Sequence, residues 1–249
     1  MKKEIIEKAS ELGFAAIGFT TAEPTDEVRN LNEAIISGRT AQMKWLARNP
    51  TARCDPRSLL PEAKSVICVA LPYGEDGINS LNSSPEVEKG RARFARGDDY
   101  HSVVHEKLKQ LWSFIEGLQP EGKSKICVDT SPIMEKALAV RAGLGWIGKN
   151  TILINEDLGS WLLLGEIITD LIVEPDTAVD EKCGDCEKCV KACPTGALLS
   201  PKMLDSRRCI SYLTIESKVE LPKEFERYVS DGQYGCDICQ EVCPFNCRD

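Results

Sequence analysis

The placement of cysteine is the feature that most constrains this chain. Of its 12 cysteines, nine fall in the last 67 residues, in two runs. The first run is Cys183-x2-Cys186-x2-Cys189-x3-Cys193-Pro194, a spacing typical of iron–sulfur cluster binding. The second is Cys236-x2-Cys239-x3-Cys243-Pro244, and Cys209 lies 27 residues before it. The C-terminal part of the chain is therefore predicted to be a metal-binding domain.

The two runs predict two clusters that share their ligands. In two-cluster ferredoxins, the fourth cysteine of each run binds the other cluster, because a tight loop can supply only three thiolates to a cubane. One 4Fe–4S cluster is then expected on Cys183, Cys186, Cys189 and Cys243, and the second on Cys193, Cys209, Cys236 and Cys239. The alternative is a zinc ribbon of paired CxxC knuckles, which the three consecutive cysteines disfavour. No ligand role is expected for Cys54, Cys68, Cys127 or Cys247.

Composition and charge restrict the remaining possibilities. Hydrophobic residues make up 42% and charged residues 28% of the 249 residues, which is an ordinary globular balance. No apolar run is long enough to span a membrane, and no export signal opens the chain, so we expect a cytoplasmic protein and no disulfide scaffold. The net charge of −8 argues against non-specific coating of nucleic acid.

Hydrophobic patterning predicts a mixed domain before the cysteine runs. Helices are expected over residues 2–12, 26–47, 101–118 and 133–142, and strands over 14–19, 65–71, 125–129, 151–155 and 161–169. This alternation favours an α/β (α+β) domain over residues 1–175, followed by a ferredoxin-like domain over 176–249.

Three other motifs in the larger domain are weak. The glycines at 143, 145 and 148 match G-x-G-x-x-G but follow a helix, so we interpret them as a turn that lets Trp146 pack. His101 and His105 are one helical turn apart but lack the glutamate of an HExxH metalloprotease. The segment beginning at Asp99 resembles the D-x-H-x-x-G motif of cobalamin domains, but Val104 replaces its glycine.

Read in order, the motifs of the chain resemble those of the epoxyqueuosine reductase family, cobalamin-dependent iron–sulfur enzymes that complete the tRNA nucleoside queuosine. The matching segments are RCDPR at 53–57, ARGDDYH at 95–101, DTSPIMEK at 129–136, AGLGWIGKN at 142–150, GSW at 159–161, LGE at 164–166, CISYLTIE at 209–216 and GCDICQEVCP at 235–244. They cover nearly the whole chain.

The resemblance implies a fold and a set of site residues. The larger domain would be nitroreductase-like and hold cobalamin, with no protein histidine on cobalt. Asp129 would be the proton donor, which fits the chemistry, because removing an epoxide oxygen as water takes two electrons and two protons. An alternative role for Asp129 is to cap the following helix. The corrin contacts implied by the match are Arg53, Ala92, Asp129, Leu153, Leu164 and Ser211, and the implied tRNA contact is Lys218.

The same resemblance implies an activity and partners. The chain would reduce epoxyqueuosine to queuosine at the wobble position of tRNA. Electrons would come from an external donor such as a flavodoxin or ferredoxin and pass through the two clusters to cobalamin, and the chain would be a monomer. Longer family members carry a C-terminal helical-repeat domain that helps to bind tRNA. This sequence ends five residues after Pro244, so we expect that domain to be absent and tRNA affinity to be affected.

Some alternatives stay open. The chain could be a corrinoid iron–sulfur reductase of a small molecule, like the reductive dehalogenases, or a non-catalytic ferredoxin-type electron-transfer protein. The basic residues Lys89, Arg91, Arg93 and Arg96 could contact tRNA phosphates or the corrin, or form a solvated loop. Glu135 and Lys136 could form a surface ion pair or carry the ordinary surface charges of a helix.

Overall fold

A four-stranded antiparallel sheet forms the centre of the larger domain in the computed structural model, which describes residues 1–75, 78 and 90–247. The strands of this domain are β1 (Ala16–Thr21), β2 (Ser65–Pro72), β3 (Ser124–Cys127), β4 (Trp146–Ile147), β5 (Leu153–Ile154) and β6 (Leu162–Thr169). The central sheet has the order β1-β2-β6-β3, and the short strands β4 and β5 form a separate hairpin. The strand β2 is buried along most of its length because helices cover both faces of the sheet.

The helices of this domain are α1 (Lys2–Glu11), α2 (Val28–Ile36), α3 (Pro50–Arg53), α4 (Tyr100–Leu118) and α5 (Glu135–Arg141). On α4, Val104, Leu108, Leu111 and Ile115 recur with helical spacing and are fully buried. The side chain of Asp99 caps this helix by accepting a hydrogen bond from the backbone of His101.

The helix predicted over residues 26–47 is wrong in its second half. The helix α2 ends at Ile36, where the Ser37 hydroxyl donates to the Glu33 carbonyl and Gly38 adopts a left-handed backbone with φ of 71°. A glycine in this conformation is a common helix terminator. A single 3₁₀ turn (Lys44–Ala47) then replaces the expected helix.

The two faces of the sheet have different partners. Helices α1 and α4 pack on one face, around Phe19, Ile67 and Ile167. Helix α5 packs on the other face, around Cys68, Cys127 and Ile168. At Gly18 the backbone of α5 comes so close that a Cβ atom would lie 2.1 Å from the Ala142 carbonyl oxygen. This close approach places the C-terminal end of α5 against β1.

The cysteine-rich part consists of short elements. These are α6 (Lys188–Ala192), β7 (Leu198–Ser200), β8 (Met203–Leu204), α7 (Ile210–Ile215) and α8 (Ile238–Glu241). Helices α6 and α8 lie within the two cysteine runs, contain Cys189 and Cys239, and pack on each other. Asp176 still pairs with β1, because its backbone and side chain bond to the backbone of Phe19. The domain boundary between residues 175 and 176 stays a prediction.

No helix within the described ranges has the length and apolar character needed to cross a membrane.

Candidate active site and cluster cavities

Each predicted set of cysteines lines its own cavity. Cys183, Cys186, Cys189 and Cys243 surround a small cavity beside α6. Cys193, Cys209, Cys236 and Cys239 line a larger cavity of about 380 Å³. The structure thus places the fourth cysteine of each run beside the first three cysteines of the other run. The ligand roles themselves stay predictions.

The chemistry of these sets fits iron–sulfur clusters. Burial, and then the neighbouring Cys209 and Asp237, raise the pKa of Cys236 to about 11. Burial and nearby cysteines also raise the pKa of Cys239. Four neighbouring thiols can become thiolates together only if a cation compensates their charge, which iron would do.

The glycine motif at 143–148 forms a turn, as predicted. A Cβ atom at Gly145 would lie 2.1 Å from the Ile154 carbonyl oxygen, so a side chain has no room there. The turn buries Trp146, whose indole Nε1 donates to Cys183 Sγ at 3.5 Å. Phe245 packs edge-on against the same indole, with ring centroids 5.0 Å apart. The motif therefore supports the wall of the first cluster cavity.

Asp129 follows β3 in a tight turn. Its backbone has a φ of 44°, unusual for a residue other than glycine, and its side chain is 56% exposed. The proposed capping role is not seen, because Met134 occupies the N-cap position of α5 and no side chain caps that helix. Instead the Asp129 amide donates to Glu135 Oε1 at 2.6 Å. The Asp129 carboxyl is thus not engaged in capping α5.

A histidine connects Asp129 to a second carboxylate. His101 Nε2 lies 3.1 Å from Asp129 Oδ2, and His101 Nδ1 lies 2.8 Å from Asp99 Oδ1. Burial opposes the positive charge, but the hydrogen bonds to both aspartates outweigh it, so the pKa of His101 is raised above 6.5. The arrangement Asp99–His101–Asp129 can hold and transfer a proton.

The rings of Tyr100 and Phe94 lie between the Asp99–His101–Asp129 group and the larger cavity. Tyr100 stacks on His101 with centroids 4.0 Å apart, and Phe94 contacts Tyr100 edge-on at 6.1 Å. Phe94 also lines the 380 Å³ cavity. Burial, and then Asp129, raise the pKa of Tyr100, so its hydroxyl stays protonated. Two aromatic rings therefore separate the Asp99–His101–Asp129 group from the cavity lined by the second set of cysteines.

The predicted cobalamin contacts differ in accessibility. Ser211 lines the larger cavity. Arg53 stacks on Trp45 at 5.0 Å, and its buried Nε has no hydrogen-bond partner among the described residues, which fits a missing cofactor group. Leu164 is half-buried, whereas Ala92 and Leu153 belong to the packed interior. These five contacts, and the sixth at Asp129, remain predictions.

The predicted tRNA contact lies on the surface. Lys218 is exposed and lines a hollow of about 510 Å³ together with Lys44, Trp45 and Glu216. Sequence reasoning missed Lys44 and Trp45, because only tertiary packing brings them next to Lys218.

The basic stretch is tied to the protein itself. Arg91 lies over the Tyr234 ring and donates to the Ala95 carbonyl, and Arg93 lies over the Trp161 ring. Arg96 donates to the carbonyls of Arg91 and Glu75. These contacts give the three arginines structural roles within the protein. Neither a freely solvated loop nor a ligand-binding surface would require such contacts. Lys89 lies outside the described residues.

The expectation of ordinary surface charges on α5 is wrong for Glu135. This carboxyl is half-buried and accepts the hydrogen bond from the Asp129 amide. Lys136 is exposed and donates to the Thr151 carbonyl, so the two side chains do not form a surface pair. The second neighbour of the Glu135 carboxyl is Glu166, which sequence reasoning also missed. The signal that could have revealed it is the charged residue within the apolar strand sequence LLLGEIIT.

Comparison with known proteins gives consistent matches along the chain. The family described as "Epoxyqueuosine reductase QueG, DUF1730" matches residues 53–130, and the 4Fe-4S double cluster binding domain matches residues 182–246. The epoxyqueuosine reductase of Gloeobacter violaceus is 41% identical over 98% of this chain and 76% of its own length.

Solved structures agree with these matches. The epoxyqueuosine reductase of Streptococcus thermophilus has a TM-score of 0.89 at 37% identity and covers all of this chain. An epoxyqueuosine reductase solved with an epoxyqueuosine-modified tRNA-Tyr stem loop has a TM-score of 0.88 at 37% identity over 98% of this chain. This chain spans 65% of the length of the latter and 67% of the former. These likenesses confirm the predicted α/β (α+β) fold with its ferredoxin-like part. Reductive dehalogenases, at 16–17% identity and a TM-score of 0.57, share the fold alone.

Proposed function

Because this chain belongs to the epoxyqueuosine reductase family, we propose that it reduces epoxyqueuosine to queuosine at the wobble position of tRNA. The observation that carries the proposal is the Asp129 carboxyl, which is exposed and in contact with His101. The rings of Tyr100 and Phe94 connect this histidine to the larger cysteine-lined cavity. An electron-transfer protein without catalysis would need no such proton-carrying group.

Cobalamin, when bound, supplies the two-electron chemistry, and the two 4Fe–4S clusters deliver the electrons singly from an external donor. Arg53 would hold the cofactor, because its buried Nε has no hydrogen-bond partner among the described residues. Ser211, which lines the cavity of the second cysteine set, would contact the cofactor next to that cluster.

The chain's own residues supply protons. Two electrons and two protons convert an epoxide to an alkene and water. Asp129, when protonated, donates to the epoxide oxygen as its carbon–oxygen bond breaks. The His101 Nε2–H then returns a proton to Asp129 Oδ2, while Asp99 stabilises the charge on the imidazolium. Asp129 can therefore donate a second time as water leaves.

The substrate surface follows from the same proposal. Lys218 and Lys44 flank the exposed Trp45, which suits contact with phosphates and with an unstacked base. The proposal also includes a flavodoxin or ferredoxin as donor, a monomeric state and a cytoplasmic location, where tRNA and such donors occur together.

A complementation experiment tests the proposal. A bacterial strain that lacks its own epoxyqueuosine reductase accumulates the epoxide in its tRNA. Expression of this chain should convert epoxyqueuosine to queuosine, as measured by nucleoside mass spectrometry, and Asp129→Asn should not. Persistence of the epoxide, in cells where the wild-type chain is present with both clusters, would contradict the proposal.

A further inference from the structure

A buried carboxyl group lies inside the central sheet. Glu166 on β6 is fully buried, and no hydrogen-bond donor among the described residues reaches either of its carboxyl oxygens. Its cross-strand neighbours are Cys68 on β2 and Cys127 on β3, both buried thiols. An ionised carboxylate in such surroundings is strongly disfavoured, so Glu166 needs either a proton or a partner.

The group that faces Glu166 is a second carboxyl. Glu135, at the start of α5, lies within hydrogen-bonding reach of Glu166. Its other contact is the Asp129 amide, which donates to Glu135 Oε1 at 2.6 Å. Two carboxyls in contact cannot both be ionised without a cation, so at least one of them holds a proton.

The charges around the pair favour one proton on Glu166. Burial, and then Glu135, raise the pKa of Glu166 well above its ordinary value. Burial, and then the charge of Asp129, raise the pKa of Glu135 to about 7, against the opposing effects of the Asp129 amide, Glu166 and Lys136. Tyr100 on α4 and the thiols of β2 and β3 are neutral. A neutral Glu166 can donate to an ionised Glu135, which then still accepts from the Asp129 amide.

We propose that Glu135 and Glu166 hold one proton between them and act as positioning residues for Asp129, with Glu135 fixing the Asp129 amide and Glu166 fixing Glu135. The backbone of Asp129 has a φ of 44°, a conformation that persists only where neighbouring contacts hold it. The Glu135 carboxylate supplies such a contact from outside the turn. The effect on reaction rate rests on the proposed function, whereas the shared proton does not.

Infrared spectroscopy of the cluster-loaded protein tests the shared proton without turnover. At about pH 8, ordinary aspartates and glutamates are ionised. The wild-type protein should still show the carbonyl band of a neutral carboxylic acid, shifted in D₂O, and Glu166→Gln should remove it. The matched control, Glu106→Gln on the exposed face of α4, should leave the band unchanged. Absence of the band from the wild type, or its persistence in Glu166→Gln, would overturn the proposal.

Single-turnover rates and amide exchange test the positioning role. Glu135→Ala should lower the rate on epoxyqueuosine tRNA by about 10²-fold and speed deuterium exchange over residues 128–131. Glu135→Gln, which retains an acceptor for the Asp129 amide, should restore most of the rate and the slow exchange. Equal rates and exchange in Glu135→Ala and the wild type would refute the role. Should Glu135→Ala not fold, Glu166→Met decides it, because this change of similar volume removes the donor to Glu135. Exchange over residues 128–131 should then be faster than in Glu166→Gln, and equally slow exchange in the two variants would refute the role.

The two proposals fail in different ways. If the wild-type chain does not convert epoxyqueuosine but shows the acid band and slow exchange, the proposed function fails and the carboxyl pair stands. If the wild-type chain converts the substrate but lacks the band, the pair fails and the function stands.

Discussion

At the scale of single residues, Asp129 is an exposed carboxyl on a strained turn, held by contacts on both sides. A non-glycine residue with positive φ costs of the order of 1–3 kcal/mol, and here Glu135 binds its amide while His101 contacts its carboxyl. The strain is therefore located at the residue to which the proposed chemistry assigns the proton.

Replacing the Asp129 carboxyl by an amide tests proton donation while keeping the local structure. Asn tolerates positive φ better than most residues, so Asp129→Asn should keep the turn. We expect the single-turnover rate, measured with saturating cobalamin, to fall by about 10²–10⁴-fold. Asp231→Asn, at an exposed position far along the chain, serves as the control. A variant Asp129→Asn that turns over at the wild-type rate would remove Asp129 from the mechanism.

The raised pKa of His101 predicts a pH dependence of stability. Because the folded-state pKa lies above the unfolded value of about 6.5, the stabilising effect of His101 is complete below that value. It is lost as the pH rises through the folded-state pKa. The difference in unfolding free energy between the wild type and His101→Asn should therefore shrink from pH 6 toward alkaline pH in urea titrations. A difference that stays constant or grows would show that the two aspartates do not hold a charged imidazole.

At the scale of elements, the approach of α5 to the sheet connects packing to the site. Sequence patterning predicted α1, α4 and β2 closely, because their apolar residues recur with a clear period. It could not predict that Glu135 and Glu166 meet, because that contact depends on how α5 crosses the antiparallel sheet. The end of α2 was missed because Ser37 and Gly38 stop a helix whose hydrophobic pattern continues.

Two glycine substitutions should change the free energy of unfolding in opposite directions. The first tests the packing of α5, and the second is a control in α4. Gly18→Ala places a Cβ atom 2.1 Å from the Ala142 carbonyl, so it should destabilise the fold by about 1–3 kcal/mol. Gly117→Ala, in α4, meets nothing within 4 Å and should stabilise by about 0.5–1 kcal/mol. Denaturant unfolding measures both changes. Equal stability of Gly18→Ala and the wild type would show that α5 does not pack so closely on β1.

At the scale of the whole molecule, the two cysteine runs are interlocked. The sequence spacing predicted which cysteines share a cavity, because the rule for two-cluster domains depends on order along the chain. The spacing could not predict that Trp146 and Phe245 close the first cavity, or that the second adjoins Phe94. Those contacts come from how the cysteine-rich part packs on the larger domain.

Single cysteine substitutions test the interlocked assignment. Cys243→Ser should remove the cluster bound mainly by the first run, and Cys209→Ser the other, so each variant should retain about half of the iron. Cys247→Ser, at an exposed cysteine outside both cavities, should keep all of it. Iron analysis and electron paramagnetic resonance of the reduced protein measure the outcome. A full iron content in Cys243→Ser would contradict the assignment.

The most direct test of the account is a single-turnover reaction without oxygen. Protein loaded with clusters and cobalamin is mixed with a strong reductant and epoxyqueuosine-containing tRNA, and the nucleosides are analysed by mass spectrometry. The account predicts loss of one oxygen from the modified nucleoside with the wild-type chain, and no such loss with Asp129→Asn. An unchanged nucleoside, with the wild-type chain holding cobalamin and both clusters, would contradict it.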